Sequence, residues 1–203
     1  MPDHPPTALD TPLRADATHA ATGTCDASAI AIRAATPADM VDVARIYAPY
    51  VLSTTISFET EAPSVETMVQ RHRDIVAAGA PYLVAVMAGR VVGYAYAGPY
   101  KARAAYRFTV EHSVYLDGTV TGRGLGRRLL ESLIAACRAA GIQEMIATVA
   151  GDDNAASLGV HARCGFVPIG RLRNVGFKYD RWIDVTLMQL SLRDTVDAAS
   201  PAA

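Results

Sequence analysis

The sequence has few cysteines, and they do not suggest disulfides or a metal site. Three cysteines occur in 203 residues, Cys25, Cys137 and Cys164. An odd number with no ligand-like spacing fits neither a disulfide framework nor a structural metal centre. We therefore expect a reducing, cytoplasmic location and no metal ion, and we interpret Cys137 and Cys164 as small apolar packing residues rather than nucleophiles.

The sequence also lacks a long apolar run and a strong net charge. Its best membrane candidate, residues 83–97, is interrupted by Arg90 and is shorter than the roughly 18 residues that a span needs. The formal net charge of −1 gives no reason to expect a nucleic acid or an anionic membrane as partner. A hydrophobic content of 51% in 203 residues is enough for one well-filled soluble domain.

The two ends of the chain differ in composition from the rest. Residues 1–29 are rich in Ala, Thr, Asp and Pro, without the basic start and apolar core of a secretion signal, so we interpret them as a disordered extension. Residues 193–203 resemble them and are expected to form a flexible tail. The folded domain is therefore predicted to span residues 30–192.

The hydrophobic pattern of this domain predicts an α/β fold of mixed type. Strand-like and helix-like segments follow in the order β-α-α-β-β-β-α-β-α-β-β, which combines hairpins with crossover connections. We expect a single twisted, mixed sheet of about seven strands with helices on both faces. The predicted strands are 30–33, 82–87, 91–97, 109–116, 143–149, 165–171 and 182–192, and the predicted helices are 37–52, 64–78, 126–140 and 152–163.

A glycine-rich turn connects the fourth strand to the third helix. It reads Gly122-Arg-Gly-Leu-Gly126. Glycines permit positive φ, so successive backbone N–H groups can converge on an anion at the start of the helix. The spacing G-x-G-x-G matches neither the dinucleotide fingerprint nor the Walker loop. The turn predicts a pyrophosphate site, although a plain tight connection would look the same.

Several stretches together resemble the GCN5-related N-acetyltransferase (GNAT) superfamily, in particular its phosphinothricin and methionine sulfoximine acetyltransferase branch. They occur in the family's order over residues 30–192. The stretches are Thr109-Val-Glu-His-Ser-Val-Tyr115, the glycine turn, Asp153-Asn-Ala-Ala-Ser157, His161 with Gly165-Phe166, Val175-Gly-Phe-Lys178, Arg181-Trp-Ile-Asp184 and Met188-Gln-Leu190.

The resemblance implies acetyl-CoA as co-substrate and assigns the residues that hold it. The acetyl and pantetheine part would lie against the backbone of Val114, Tyr115 and Leu116, with Asn154 and Ser157 reaching the pantetheine arm. Asn154 could equally be a helix cap. The pyrophosphate would lie on Gly122, Arg123, Gly124, Leu125, Gly126 and Arg127. Thr121 departs from the family, which usually has Gln or Arg there, and Arg123, Arg127 or Arg128 could supply the missing charge.

Two titratable residues are candidates for the chemistry. An α-amino group has a pKa of about 7.7–8.0, so transfer to nitrogen benefits from a base. Strand alternation places Glu111 on one face with Ser113 and Tyr115, and the resemblance makes it that base; the alternative is a salt-bridged carboxylate. The resemblance gives His161 the role of proton donor to the departing thiolate or of proton relay; the alternative is packing beside Cys164. His112 falls on the apolar face and is expected to be a hydrogen-bonded core residue.

A basic loop and an aromatic residue are the candidates for substrate recognition. Lys101, Arg103 and Tyr106 suit a carboxylate and a polar head group, and by resemblance their loop contacts substrate while Phe58 forms an apolar wall. The expected reaction is acetyl transfer from acetyl-CoA to the α-amino group of a small amino acid or analogue, such as phosphinothricin, methionine sulfoximine or methionine sulfone.

Two other functions remain open. One is acetylation of a protein N-terminus, a polyamine or an aminoglycoside, against which the basic loop argues; the other is a non-catalytic acyl-CoA-binding module. The resemblance also implies a homodimer, for which an exposed apolar terminal strand around residues 185–190 is the candidate contact.

Overall fold

The computed structural model describes residues 30–151 and 154–193. The predicted extension, residues 1–29, lies outside the described residues, as does all of the predicted tail except Arg193. The described part contains one seven-stranded mixed sheet in the order β1-β2-β3-β4-β5-β7-β6, flanked by helices on both faces, which confirms the predicted fold. No helix in this part of the chain combines the length and apolar character needed to cross a membrane.

The strands and helices follow the predicted order closely. The strands are β1 (Ala31–Ala34), β2 (Tyr82–Met87), β3 (Arg90–Pro99), β4 (Thr109–Leu116), β5 (Glu144–Ala150), β6 (Val167–Lys178) and β7 (Arg181–Ser191). The helices are α1 (Met40–Ser53), α2 (Val65–Ala77), α3 (Leu125–Ala139) and α4 (Ala155–Arg163).

A cluster of polar contacts fixes the start of α1. The sequence predicted where this helical region begins but not the contacts of Arg33 and Asp39. Thr36 and Asp39 form a capping box around a short 3₁₀ turn that begins with Pro37. The Asp39 carboxylate also accepts two hydrogen bonds from the Arg33 guanidinium, at 2.8 and 2.7 Å. This charge-assisted pair joins β1 to the beginning of α1.

Two apolar layers enclose the sheet. Helices α1 and α2 cover one face, where Met40, Val43 and Ile46 pack against Val84 and Tyr94. Helix α3 covers the other face. Its apolar stripe is fully buried against β2 to β5 and comprises Leu125, Leu129, Leu130, Leu133, Ile134 and Cys137.

Strands β4 and β5 pair over only part of their length. Their parallel pairing runs from Thr109 with Glu144 to His112 with Ala147. Beyond His112, β4 continues along β3 as far as Leu116, and β5 continues along β7 to Ala150. A gap therefore opens between residues 113–116 and 148–150, near the middle of the sheet.

The last two strands differ from the prediction. β6 extends to Lys178 rather than ending at Arg171, with register shifts and a positive φ of 52° at Asn174 that obscure its alternation in the sequence. The expected exposure of residues 185–190 is wrong, since Val185 and Met188 are only 2% and 1% exposed. The exposed apolar residues lie instead on β6 and at the start of β7: Val167, Ile169, Leu172, Val175, Phe177 and Trp182.

Candidate active site

A cavity of about 440 Å³ lies at the gap between β4 and β5. It is bounded by β4, by the end of β5 and by the loop that follows α1. Glu111 and Phe58, two of the predicted site residues, both line it. The other lining residues are Tyr47, Ile56, Ser57, Glu59, His112, Ser113, Tyr115, Thr148, Ala150 and Val185.

The alternation of β4 places Glu111 on the cavity side. Glu111, Ser113 and Tyr115 line the cavity together, whereas Val110, Val114 and Leu116 pack toward α3. Glu111 is partly buried, and Gly98 is its neighbour across the β3–β4 ladder. The strand therefore presents a carboxylate to a solvent-accessible cavity, the placement that a base needs.

Tyr47 and Tyr115 line the cavity within a larger cluster of tyrosine rings, of which sequence reasoning identified only Tyr115. The centroid of the Tyr115 ring lies 4.9, 5.0 and 5.3 Å from the ring centroids of Tyr47, Tyr50 and Tyr94. The Tyr47 hydroxyl lies 2.7 Å from Ser57 Oγ and donates to Glu59 at 2.9 Å. Burial, and less strongly Glu59, raise the pKa of Tyr47 to about 12, so its phenol stays protonated near neutrality. The scattered positions of the other rings gave no sequence signal.

Backbone groups of β4 face the gap. The Asp117 N–H bonds to Val92 O, so in this antiparallel ladder the odd-numbered residues bond to β3. The N–H and C=O of Val114 and Leu116 therefore point toward the side where β5 has diverged. At Leu116 the Tyr50 hydroxyl donates to the carbonyl at 2.8 Å and lies 3.4 Å from the amide nitrogen.

The glycine turn has the backbone conformation that its sequence predicts. Gly122 and Gly124 both have φ of 76°, and Gly124 is the N-cap of α3. Since the first N–H groups of a helix have no acceptor four residues earlier, those of Leu125, Gly126 and Arg127 are available at an exposed turn. A Cβ on Gly122 or Gly124 would meet nothing within 4 Å, so conformation rather than crowding requires glycine there.

The charged side chains around this turn are only partly available to a ligand. Arg127 donates to Glu131 at 2.7 Å, and Arg128 donates to Ile30 O at 3.2 Å. The Thr121 hydroxyl donates to Gly118 O at 3.2 Å. Arg123 is exposed beside the turn.

Helix α4 brings Asn154, Ser157 and His161 to the other side of the gap. Asp153 of the same motif lies outside the described residues. Asn154 is at the N-cap position without a capping bond from its side chain, which instead donates to Ala150 O at 3.4 Å. It lines a neighbouring cavity of about 300 Å³. Ser157 Oγ lies 3.4 Å from His161 Nδ1.

The structure pairs His161 with His112, which the sequence did not suggest. Their Nε2 atoms are 3.0 Å apart, and the Phe166 ring contacts both imidazoles. His112 Nδ1 lies 3.0 Å from Ile146 O, as expected for a hydrogen-bonded core histidine. The two residues are 49 positions apart, so no spacing rule could have joined them.

The loop carrying Phe58 is anchored by a buried lysine. Lys178 Nζ donates to Val51 O at 2.6 Å and to Ser57 O at 2.7 Å. Burial lowers the pKa of Lys178, and Glu59 partly offsets this. Phe58 also lies against Gly176 of β6, where a Cβ would come within 2.3 Å of its ring.

The predicted basic loop is not part of the cavity lining. Lys101 and Arg103 are exposed, and Tyr106 is half-buried, on the connection from β3 to β4. The Lys101 ammonium lies over the rings of Tyr100 and Tyr106, 4.9 and 5.5 Å from their centroids. The structure thus joins Phe58 to Glu111 but leaves this loop outside their cavity.

The two cysteines in the described part of the chain lie where the sequence interpretation placed them, as packing residues. Cys137 and Cys164 are free, and burial raises the pKa of Cys137 to about 12, which keeps this thiol protonated. Within residues 30–151 and 154–193, no three His, Cys, Asp or Glu side chains are grouped as metal ligands would be.

Comparison with known proteins agrees with this geometry. The model of the acetyltransferase (GNAT) domain matches residues 32–187. The chain is 46% identical over 164 residues to a phosphinothricin N-acetyltransferase from Alcaligenes faecalis, a match that covers 81% of this chain and 83% of the relative. An L-methionine sulfoximine/L-methionine sulfone acetyltransferase from Pseudomonas paraeruginosa is 42% identical over 169 residues, 82% of this chain and 97% of the relative.

Solved structures show the same fold. A putative acetyltransferase from Salmonella typhimurium, solved with its cofactor acetyl-CoA, superimposes with a TM-score of 0.80 and 36% identity. That match covers 87% of this chain and 99% of the other. As the sequence motifs predicted, the chain belongs to the GNAT family of N-acetyltransferases.

Proposed function

We propose that this enzyme transfers acetyl from acetyl-CoA to the α-amino group of a small amino acid or analogue, of the phosphinothricin, methionine sulfoximine or methionine sulfone type. The observation that carries the proposal is the cavity at the β4–β5 gap, with Glu111 on its wall. Its volume of about 440 Å³ suits a small acceptor beside a thioester. The names of the two relatives support the choice of acceptor.

The residues at the gap fit acetyl-CoA. When bound, this co-substrate supplies an acetyl thioester. The N–H groups of residues 125–127 and the positive-φ turn before them suit a pyrophosphate. The backbone of Val114 and the side chains of Asn154 and Ser157 lie on the two sides of the gap, where they can hold an extended amide-containing arm. We assign Arg127 a backbone role, because its guanidinium is bonded to Glu131.

Glu111 is the proposed base. The acceptor amine has a reference pKa of about 7.7–8.0, so much of it is protonated at neutral pH. A carboxylate on the cavity wall can take that proton before nitrogen attacks, either directly or through water. His161, on the other side of the gap, is proposed to supply or relay the proton that the departing sulfur needs.

Recognition of the acceptor is proposed to use two elements. Phe58 provides an apolar surface inside the cavity. Lys101, Arg103 and Tyr106 lie outside the cavity lining, on the connection from β3 to β4, with the two basic residues exposed and Tyr106 half-buried. We propose that they approach the acceptor's carboxylate when it is bound, since a guanidinium offers two parallel donors to such a group.

We propose that the enzyme acts in the cytoplasm as a homodimer. The free cysteines at 137 and 164 are compatible with a reducing compartment. The exposed apolar residues of β6 and the start of β7 are the proposed contact with a second copy.

The test is acetyl-CoA consumption by the purified enzyme across amino-acid analogues, polyamines and aminoglycosides. We expect turnover of amino-acid analogues, and we expect Glu111→Gln to lower kcat by about 10²–10⁴-fold, the usual contribution of a positioned base. Calorimetric affinity for acetyl-CoA should be unchanged in that variant.

Glu66→Gln is the matched control, because Glu66 is an exposed carboxylate on α2. Turnover confined to polyamines or aminoglycosides would contradict the proposed acceptor. Normal activity of Glu111→Gln across the neutral pH range would remove Glu111 from its role.

A further inference from the structure

Two imidazoles lie at the base of the β4–β5 gap, and the hydrogen-bonding neighbours of their ring nitrogens indicate how many protons the pair carries. His112 and His161 are 5% and 8% exposed, with Nε2 atoms 3.0 Å apart. Phe166 packs on both rings, with centroids at 5.0 and 5.2 Å. Every ring nitrogen of the pair has a neighbour within hydrogen-bonding distance, so each proton can be assigned from its partner.

The outer nitrogens must both be donors. His112 Nδ1 lies 3.0 Å from Ile146 O, and His161 Nδ1 lies 2.7 Å from Ser157 O. A carbonyl oxygen only accepts hydrogen bonds, so each Nδ1 carries a hydrogen. The Ser157 hydroxyl, which could donate to a bare His161 Nδ1, lies farther away, at 3.4 Å. A neutral imidazole has a single N–H, and two neutral rings would therefore leave two lone pairs facing each other across 3.0 Å at the Nε2 atoms.

Moving a proton inside a neutral pair does not remove the conflict. If one ring is protonated at Nε2 instead, the central bond forms, but that ring turns a bare Nδ1 toward a carbonyl. The repulsive contact would then be at 2.7 Å for His161 or 3.0 Å for His112. The three contacts, one at each Nδ1 and one between the Nε2 atoms, need three N–H groups in total, whereas two neutral rings carry only two.

We propose that His112 and His161 share one additional proton between their Nε2 atoms, so that the pair is a single monocation at the base of the gap. Three charge-assisted hydrogen bonds then compensate the loss of hydration, and the charge is spread over two rings.

A second proton is strongly disfavoured. Burial and the charge of His161 lower the pKa of His112 to about 3, and burial also lowers the pKa of His161. Burial therefore opposes the first added proton as well as the second, and the first is retained only because three charge-assisted hydrogen bonds compensate for it. A second proton would leave no acceptor between the Nε2 atoms. One shared proton is therefore the highest occupancy the pair reaches near neutrality.

The charge has a consequence for the reaction that rests on the proposed function. His112 also lines the cavity, so until the proton is relayed through His161 the positive charge of the pair lies beside the place where negative charge develops on the thioester oxygen and the departing sulfur. Oriented charges of this kind stabilise a transition state more than a ground state. In this account His112 is a positioning residue that sets the tautomer and charge of His161.

The proton count is tested on the wild-type protein by nitrogen NMR with ¹⁵N-labelled histidine. The ring signals of the pair are assigned through Overhauser contacts to Phe166, which needs no variant. We expect N–H signals at both Nδ1 atoms, averaged shifts at the two Nε2 atoms and an exchange-protected proton between them. A bare Nδ1 on either ring at neutral pH would overturn the proposal.

The role in catalysis is tested with His112→Gln. A glutamine amide can donate to His161 Nε2 but cannot hold the charge, so kcat should fall at least tenfold while KM for both substrates stays within twofold. His72→Gln is the control, because His72 is equally buried, contacts Ala35 O and lies on α2 away from the cavity.

Undiminished kcat in His112→Gln would overturn the catalytic role. Absence of wild-type turnover on every amine would refute the proposed function instead, and would leave the NMR result standing.

Discussion

At the scale of single residues, the Asp39 carboxylate accepts four hydrogen bonds. Besides the two bonds from Arg33, it accepts from the Thr36 amide at 2.7 Å and from the Thr36 hydroxyl at 2.8 Å. The Arg33 guanidinium lowers the pKa of Asp39 to about 2, burial opposes the shift, and the Thr36 bonds reinforce it. Stability near the start of α1 should therefore depend on pH.

We expect Asp39→Asn to destabilise the protein at neutral pH and progressively less in acid. The folded pKa of Asp39 lies below its unfolded value of 3.8, so its stabilisation is present above about pH 4 and is lost as pH falls toward 2. The free energy of unfolding should differ from wild type by about 1–2 kcal/mol at pH 7, allowing for the half-exposed arginine.

Denaturant unfolding at pH 7, 4.5 and 2.5 measures this difference, which should shrink toward the acid end. Asp74→Asn, where the carboxylate accepts an exposed bond from Gln70, should show no such trend. A difference that stayed constant from pH 7 to 2.5 would disprove the assignment.

Residue-level prediction from sequence succeeded where a single periodicity was enough. Alternation along β4 correctly placed Glu111, Ser113 and Tyr115 on one face. It could not reveal that His112 meets His161, because that contact depends on how α4 packs beneath β5. Lys178 was likewise recognised only as part of a motif, since its two carbonyl acceptors lie more than 120 positions away in the chain.

At the scale of elements, the contact between β6 and the loop after α1 controls one wall of the cavity. Gly176 leaves room for the Phe58 ring, and a Cβ there would lie 2.3 and 2.4 Å from ring atoms. Because Phe58 is partly exposed, its ring can move instead of unfolding the strand.

We therefore expect Gly176→Ala to raise KM for the acceptor several-fold while the melting temperature changes little. Gly170→Ala is the control on the same strand, where a Cβ would meet nothing within 4 Å. Steady-state kinetics and thermal melts of both variants decide the matter. Equal KM values for the two variants would mean that Phe58 does not shape the acceptor site.

Element boundaries were predicted well where glycine or proline marks them. Pro37 and Gly141 delimit helical regions as expected, and β2 and β4 begin and end at the predicted residues. The C-terminal half of β6 was missed because Asn174 and Gly176 interrupt its alternation within a few residues. An edge strand exposed along most of its length carries little of the inside-outside pattern that sequence reading relies on.

At the scale of the whole molecule, the exposed apolar face of β6 and the start of β7 is the surface we assign to a second copy. Trp182 is 63% exposed, and its ring lies 5.1 Å from that of Phe177. Aromatic residues in such positions frequently dominate an interface.

We expect the wild-type protein to sediment as a dimer at micromolar concentration and Trp182→Arg to sediment as a monomer. Val41→Arg is the control, since Val41 is a similarly exposed apolar residue on α1. Analytical ultracentrifugation measures both. A monomeric wild type, or a dimer that tolerates arginine at 182, would exclude this face as the contact.

The short pairing between β4 and β5 divides the sheet into two mechanical blocks, β1–β4 and β5–β7, that meet along Thr109–His112 and Glu144–Ala147. Longer ladders hold each block together internally. Because this ladder has few backbone pairs, it is the place where local opening of the sheet costs the least free energy. Since the cavity lies where this pairing stops, a ligand there can contact both groups of strands without displacing a β4–β5 backbone pair.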